Sequence, residues 1–303
     1  MTAQPPALFD RELRQRRLHR AARTLKNANF LRRRAAEDAA DRLLTIVRHF
    51  PAAVEVGSCD DSFLSAVRQA GAEDHFSEIV RAAPNALLAA DRPGQVIVAD
   101  DEALPFASAS LDLVVSLLSL HWTNDLVGAL VQIRRSLKPD GLFLGALLGG
   151  ATLTELRQAL MEAEAELAGG AGPRVSPFAD VADGPALLQR AGFALPVADM
   201  DRFTVTYAHP LRLLADLRAM GETNALIDRP RRPLTRAVLG RACEIYIERF
   251  SNPDGRVRAT FEIISLTGWA PHPDQQQPLK PGSAKARLAD ALGVRERRAD
   301  FEE

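Results

Sequence analysis

The chain has 303 residues, 47% of them hydrophobic and 25% charged, with 38 Lys and Arg against 39 Asp and Glu. That length holds one large α/β domain with an insertion, or two small domains, and the composition is that of a soluble globular protein with a sizeable core. A net charge of -1 gives no global attraction to nucleic acid or to a membrane surface, so any such partner has to be read from a local patch. Cys59 and Cys243, far apart in sequence, supply neither a disulfide framework nor a CxxC metal knuckle. They fit a reducing compartment, and the expectation is a cytoplasmic protein. The apolar run 111–120 contains Asp112 and falls far short of the roughly 20 residues of a membrane span. The amino end has no apolar signal core and is read as mature protein.

Residues 1–50 form a basic arm. Arg11, Arg14, Arg16, Arg17, Arg20, Arg23, Lys26, Arg32, Arg33 and Arg34 stand against Glu12 alone between positions 11 and 34, over a thin apolar stripe of Ala21, Ala22, Leu25 and Phe30. Such a segment is either a solvated cationic helix on the domain edge or a docking arm for an acidic partner; no aromatics are interleaved to stack nucleic-acid bases. A second helix is expected over 35–48, where Leu43, Leu44 and Val47 recur at helical spacing.

Residues 52–61, AAVEVGSCDD, join a short β-branched strand to a helix start at the run SFLSAVRQA. In open α/β sheets a ligand sits at such a junction, where helix N–H groups are unpaired. A weakly patterned second strand is expected over 75–80. Glu78 is its candidate for the ribose diol of a cofactor, the alternative being an ordinary exposed glutamate. Val96, Ile97 and Val98 make a short strand ending in Asp100, Asp101 and Glu102 before LPF. These acids either receive an adenine or cap a turn before Pro105. The run 111–122 reads as a central strand buried on both faces, delivering Ser119, His121 and Trp122 to the carboxyl edge of the sheet. There a histidine can serve as a base or orient a substrate, or be a structural imidazole, and an indole can wall a pocket. A helix over 125–137, an LKPDG turn and a strand over 142–148 follow.

The loop at Gly57 resembles motif I of class I S-adenosylmethionine methyltransferases, matched at Glu55 and Gly57 but with Cys59 and Asp61 at two glycine positions. Added side chains there either obstruct the cofactor, the reading preferred, or belong to an adapted loop in which Asp61 pairs the cofactor's ammonium; the alternative to a cofactor site is a structural turn. The strand, helix, LKPDG turn and strand resemble that fold's fourth and fifth strands. Further strings, FDRELRQRR, SLLSLHWTNDLVGAL, GGATLTELRQAL, AGPRVSPF, LLQRAGF, MGETNAL, ATFEIISLTGWAPH and PGSA, resemble a narrower family: respiratory complex I assembly factors with a methyltransferase fold that act as protein arginine hydroxylases, and their bacterial relatives.

The resemblance implies an α/β, Rossmann-like class I methyltransferase fold: a mostly parallel seven-stranded sheet with helices on both faces, a basic N-terminal helical arm and a helical insertion before the last strand. It also implies S-adenosylmethionine as cofactor, held by Glu55, Gly57, Glu78, Asp100 and Asp101, with His121 and Trp122 as catalytic residues facing the substrate. The implied substrate is protein, an arginine of an iron–sulfur subunit of complex I. Two alternatives stand beside it, an O-methyltransferase of the malonyl-carrier-protein type from biotin synthesis and a non-catalytic assembly chaperone. The expected parts are the arm (1–50), the methyltransferase-like domain (51–270) with an insertion (208–258) covering the carboxyl edge, and a tail (271–303). In that tail His272 and Asp274 have the spacing of two ligands of an iron facial triad, but no second histidine is assignable. The triplet is read as loop, with no metal site.

Overall fold

Val54 and Val56 lie in a run whose last four residues are all sealed from water, and that run becomes a central strand. In the computed structural model, which describes residues 7–90, 92 and 94–275, the strands are β1 (Ala52–Val56), β2 (Glu78–Ala83), β3 (Val96–Val98), β4 (Leu111–Leu117), β5 (Leu137–Leu148), β6 (Ala194–Tyr207) and β7 (Val257–Trp269). They form one sheet in the order β3-β2-β1-β4-β5-β7-β6. The first five are parallel, and β7 runs antiparallel to both β5 and β6. The helices are α1 (Arg11–Ala21), α2 (Phe30–Leu44), α3 (Ser62–Ala70), α4 (Ala86–Ala89), α5 (Leu126–Ser136), α6 (Thr154–Ala168), α7 (Gly184–Arg190), α8 (Pro210–Met220) and α9 (Arg236–Phe250).

Alternate residues of a strand face opposite sides of the sheet, and this sorts the core. Leu113, Val115, Leu142 and Leu144 pack with α2, α3, α6, α8 and α9 through Leu43, Phe63, Leu160, Leu213 and Ile245. Val114, Phe143 and Ile264 pack with α5 and α7 through Leu130, Ile133 and Leu188. The expected three-layer α/β architecture is therefore present.

Three expectations shift. The second strand lies at 78–83, because His75 is taken into a 3-10 turn (Glu73–His75) and the strand continues through a buried arginine, Arg81. Residues 138–141 do not separate two elements; they lie within β5, whose register with β4 slips between Leu111 and Leu113. The second helix begins at Phe30, and a 3-10 turn (Leu25–Asn27) breaks the arm from it.

One compact unit ends at Pro271. Of the second, which starts at His272, the described residues hold a turn in which the Asp274 N–H donates to His272 Nδ1 at 3.1 Å. Among the described residues no helix is long and apolar enough to cross a membrane.

Candidate functional site at the carboxyl edge of the sheet

Glu55, the last residue but one of β1, is fully buried, and its Oε2 accepts a hydrogen bond from Ser58 Oγ at 2.7 Å. Burial pushes its carboxyl up to about 7, against the Ser58 hydrogen bond and the charges of Arg92 and Arg32. Gly57 turns the chain at φ +70°, and a Cβ there would collide with the Ser119 side chain, so only glycine serves. Cys59 is buried with its thiol towards the Gly57 carbonyl at 3.3 Å, and burial raises its pKa. Asp61 is ion-paired to Arg81 and lies 3.2 Å from Arg92. Arg92 also donates to the Ser58 carbonyl at 3.1 Å and to Ser58 Oγ at 3.0 Å. The loop after β1 is thus held from outside by two arginines.

The acids after β3 divide into two kinds. Asp101 is buried, accepts from Ser119 Oγ, and has its carboxyl pushed up by burial. Asp100 and Glu102 instead receive the guanidinium of Arg11 from α1. The cleft bounded by Cys59, Asp100, Asp101, Ser119, Arg11 and Arg14 has a volume of only ≈ 40 Å³.

Beyond β4 the chain makes a 3-10 turn (Leu120–Trp122) that sets His121 and Trp122 against the segment following α8. There Glu222 is the shared partner. Its Oε2 accepts from Trp122 Nε1 at 2.9 Å and lies 3.3 Å from His121 Nε2; its Oε1 lies 3.0 Å from Arg14 Nη2. Since a carboxylate only accepts, the His121 nitrogen facing it is the protonated one. Burial opposes ionisation of Glu222, but the Arg14 charge together with the His121 and Trp122 hydrogen bonds outweighs it and holds the carboxyl at about 2. The Arg14 guanidinium lies 4.2 Å over the Trp122 ring.

On the far side of Trp122 is a chamber of ≈ 420 Å³, within the range of small-ligand pockets. Leu148, Leu156, Leu160, Leu217, Phe178 and Phe261 wall it, and Arg17, Arg174, Arg229, Arg231 and Arg232 stand around it with Glu222 and Asn224. The segment between β6 and β7 contributes much of this lining, through Leu214, Leu217, Glu222 and residues 229–234. An adjoining groove of ≈ 500 Å³ is lined by Leu13, Arg16, Arg17, Arg20, Arg218 and Thr223.

Of the residues expected at the site, Glu55, Gly57, Asp100, Asp101, His121 and Trp122 gather at this edge. Glu78 does not. It is the first residue of β2, exposed and paired with Ala52, and so lies at the opposite, amino end of the sheet. The position facing Glu55 on β2 is Arg81. Sequence reading passed over Glu222, Arg14, Arg81 and Arg92; the one available signal was the string MGETNAL, in which Glu222 follows the glycine that ends α8.

These residues test the fit of S-adenosylmethionine. Gly57 and the Asp101–Ser119 pair suit the adenine side of a cradle. The ribose and methionine side does not fit: β2 brings an arginine in place of an acid, Asp61 and Arg92 close over the loop, and ≈ 40 Å³ is about a tenth of the volume such a ligand fills.

A parallel sheet ending in an antiparallel hairpin strand, with a glycine turn after β1 and acids after β3, defines a methyltransferase-type α/β protein. Residues 54–145 match the family described as a methyltransferase domain. The solved YcgJ protein of Bacillus subtilis superposes with a TM-score of 0.51 at 12% identity over 78% of this chain and 98% of that one, a likeness of fold. "Arginine-hydroxylase NDUFAF5, mitochondrial" of Danio rerio is 39% identical over 296 residues, 97% of this chain and 92% of its own length. The Homo sapiens protein of that name is 40% identical over 93% of this chain and 83% of its own. A malonyl-acyl-carrier-protein O-methyltransferase of Halorhodospira halophila is 37% identical over 68% of this chain and 67% of its own. The chain belongs to the NDUFAF5 arginine-hydroxylase family, within the S-adenosylmethionine-dependent methyltransferase superfamily of enzymes.

Those names place the arginine-hydroxylase relatives in mitochondria, which overturns the cytoplasmic setting expected from the sequence. Cysteine usage reports a reducing environment and does not distinguish between compartments that share one.

Proposed function

We propose that the protein is an arginine-directed enzyme acting on a protein partner in respiratory complex I assembly, the partner being an iron–sulfur subunit of that complex. The observation that carries this reading is the 39% identity to an arginine hydroxylase over 97% of the chain, a span that includes the insertion lining the chamber. The site is compatible with it. The chamber takes one long side chain, its leucine walls receiving methylenes and the Glu222 carboxylate receiving a guanidinium. The arginines of the adjoining groove suit acidic residues of the partner beside the entering side chain.

Because the cleft does not fit S-adenosylmethionine as it stands, the reading rests on arginine recognition and no methyl-transfer step is derived. One observation favours the second reading, a carrier-protein O-methyltransferase: the arginines around the chamber also suit a substrate carboxylate. Intact-mass measurement of the iron–sulfur subunit co-expressed with this protein separates the cases. An added oxygen on an arginine supports hydroxylation. An added methylene shows methyl transfer, and a stable complex with unchanged mass leaves only an assembly chaperone.

A further inference from the structure

Arg14 is recognised on three sides. Its Nη1 donates to the Gly221 carbonyl at 2.6 Å, its Nη2 to Glu222 at 3.0 Å, and its plane lies 4.2 Å over the Trp122 ring. A carboxylate, a carbonyl and an aromatic face are the elements of guanidinium recognition, and they discriminate against an ammonium, which neither stacks nor forks. We propose that Glu222, Trp122 and the Gly221 carbonyl form a guanidinium cage that the chain's own Arg14 fills at rest, and that an arginine of a protein partner takes from the chamber by displacing Arg14.

Access comes first. Trp122 lines both the chamber and the small cleft that Arg14 lines; Glu222 lines the chamber, and Arg14 meets the same carboxylate at 3.0 Å. Beside it, Thr223 Oγ1, on a residue of the chamber wall, and His121 Nδ1 are buried without a hydrogen-bond partner among the described residues. Such atoms have hydrogen-bonding capacity left for a bound group or a water.

The arm is also poised against itself. Arg16, Arg17 and Arg20 on α1, with Arg218 on α8, have no carboxylate at ion-pair distance among the described residues. Burial, followed by the charges of Arg229, Arg20 and Arg14, pulls Arg17 down to about 10. Asp10, paired with Arg229, is the nearby counter-charge, and Arg17 donates to the Asn224 carbonyl; the remaining like charges crowd the filled state, and acidic residues flanking a partner arginine relieve them. Exchange requires only the Arg14 side chain to swing out, since Phe9 and Leu18 remain as buried anchors of the arm. An empty cage would leave a nearly buried carboxylate uncompensated, so departure of Arg14 and arrival of another guanidinium are coupled.

The inference rests on the arginine-directed reading for the identity of the occupant, and its test is one of binding, so the two can fail separately. The probe is Nα-acetyl-arginine methylamide, with Nα-acetyl-lysine methylamide as control, titrated calorimetrically into full-length wild type, Arg14→Ala and Arg14→Ala/Glu222→Gln. Expected is binding of the arginine probe to Arg14→Ala at least tenfold tighter than to wild type, little response to the lysine probe, and loss of the gain in the double variant. If Arg14→Ala is destabilised, the arginine probe restores its melting temperature in a concentration-dependent way and the lysine probe does not. The cage is overturned by a folded Arg14→Ala that binds the arginine probe no better than wild type, by equal binding of both probes, or by a destabilised Arg14→Ala that the arginine probe fails to rescue. A cage that passes in a protein that leaves its partner unmodified removes the hydroxylase reading alone.

Discussion

Glu55 sits near the end of a central strand in a fully buried position, and its proton is set by that burial. An unfolded glutamate ionises near ~4.3, whereas burial holds Glu55 at about 7 in the folded chain. Between those values the folded state binds one proton more than the unfolded state, so stability falls as pH rises through the window and is level above it. The loss is on the order of 3 kcal/mol. Glu55→Gln keeps an acceptor for Ser58 and removes the titration, so urea unfolding at pH 5 and pH 8 should show wild type losing that much more than the variant; parallel losses would assign the slope to other groups. Glu222 has the opposite sign. Held at about 2 by the Arg14 charge and its hydrogen bonds against burial, it contributes stability above its unfolded value that is lost as pH falls through its folded one. Glu222→Gln should therefore destabilise the protein at neutral pH by roughly 3–5 kcal/mol, and the difference from wild type should shrink on acidification. Glu55 and Gly57 were legible in the sequence because a loop after a strand has few ways to turn. Glu222 was not, because a lone glutamate after a helix-ending glycine looks like surface until the fold brings Trp122 and Arg14 to it.

The same contrast holds among elements. β4 and β5 were readable because a strand buried on both faces is a continuous apolar run. β2 was placed three residues early because Arg81 interrupts that run, although its guanidinium is buried and ion-paired to Asp61. That displacement made Glu78 a site residue and hid the pair at the loop, an arginine on β2 set against the aspartate that stands at a glycine position of the motif I pattern. The pair also changes what substitution can do. Cys59→Gly with Asp61→Gly alone removes a partner of Arg81 and leaves the guanidinium in the cleft, so cofactor affinity should not improve. Adding Arg81→Asp restores an acid near the carboxyl end of β2, and the triple variant should bind S-adenosylmethionine at least tenfold tighter than wild type, about 1.4 kcal/mol. Calorimetric titration at matched salt decides this. Tight binding by wild type that weakens in the triple variant would show that the cleft has adapted to the cofactor instead of closing to it.

At the scale of the whole molecule the near-zero net charge conceals a segregation of charge. Pairing is extensive elsewhere, for example Arg174 with Glu164 and Arg202 with Glu262, yet Arg16, Arg17, Arg20 and Arg218 converge on one groove without carboxylates at ion-pair distance among the described residues. The basic arm was visible in the sequence, with a solvated helix and a dock for an acidic partner as its two readings. Its convergence with α8 was not, because residues 20 and 218 are brought together only by the hairpin that returns the insertion to the carboxyl edge. A cluster kept for folding would lose stability when altered, whereas a cluster kept for a partner should gain it. Arg20→Glu with Arg218→Glu replaces repulsion by attraction to Arg16 and Arg17, so the melting temperature should rise slightly, and less at high salt, where the screening length falls from ~8 Å to ~3 Å. The same change should slow association with the proposed iron–sulfur partner at least tenfold at low salt, through loss of electrostatic steering, and added salt should narrow the gap. Stopped-flow association and thermal melts of one pair of samples give both signs. A variant that is less stable and associates at the wild-type rate would make the groove part of the fold's own support, and the partner would then have to be sought at another surface.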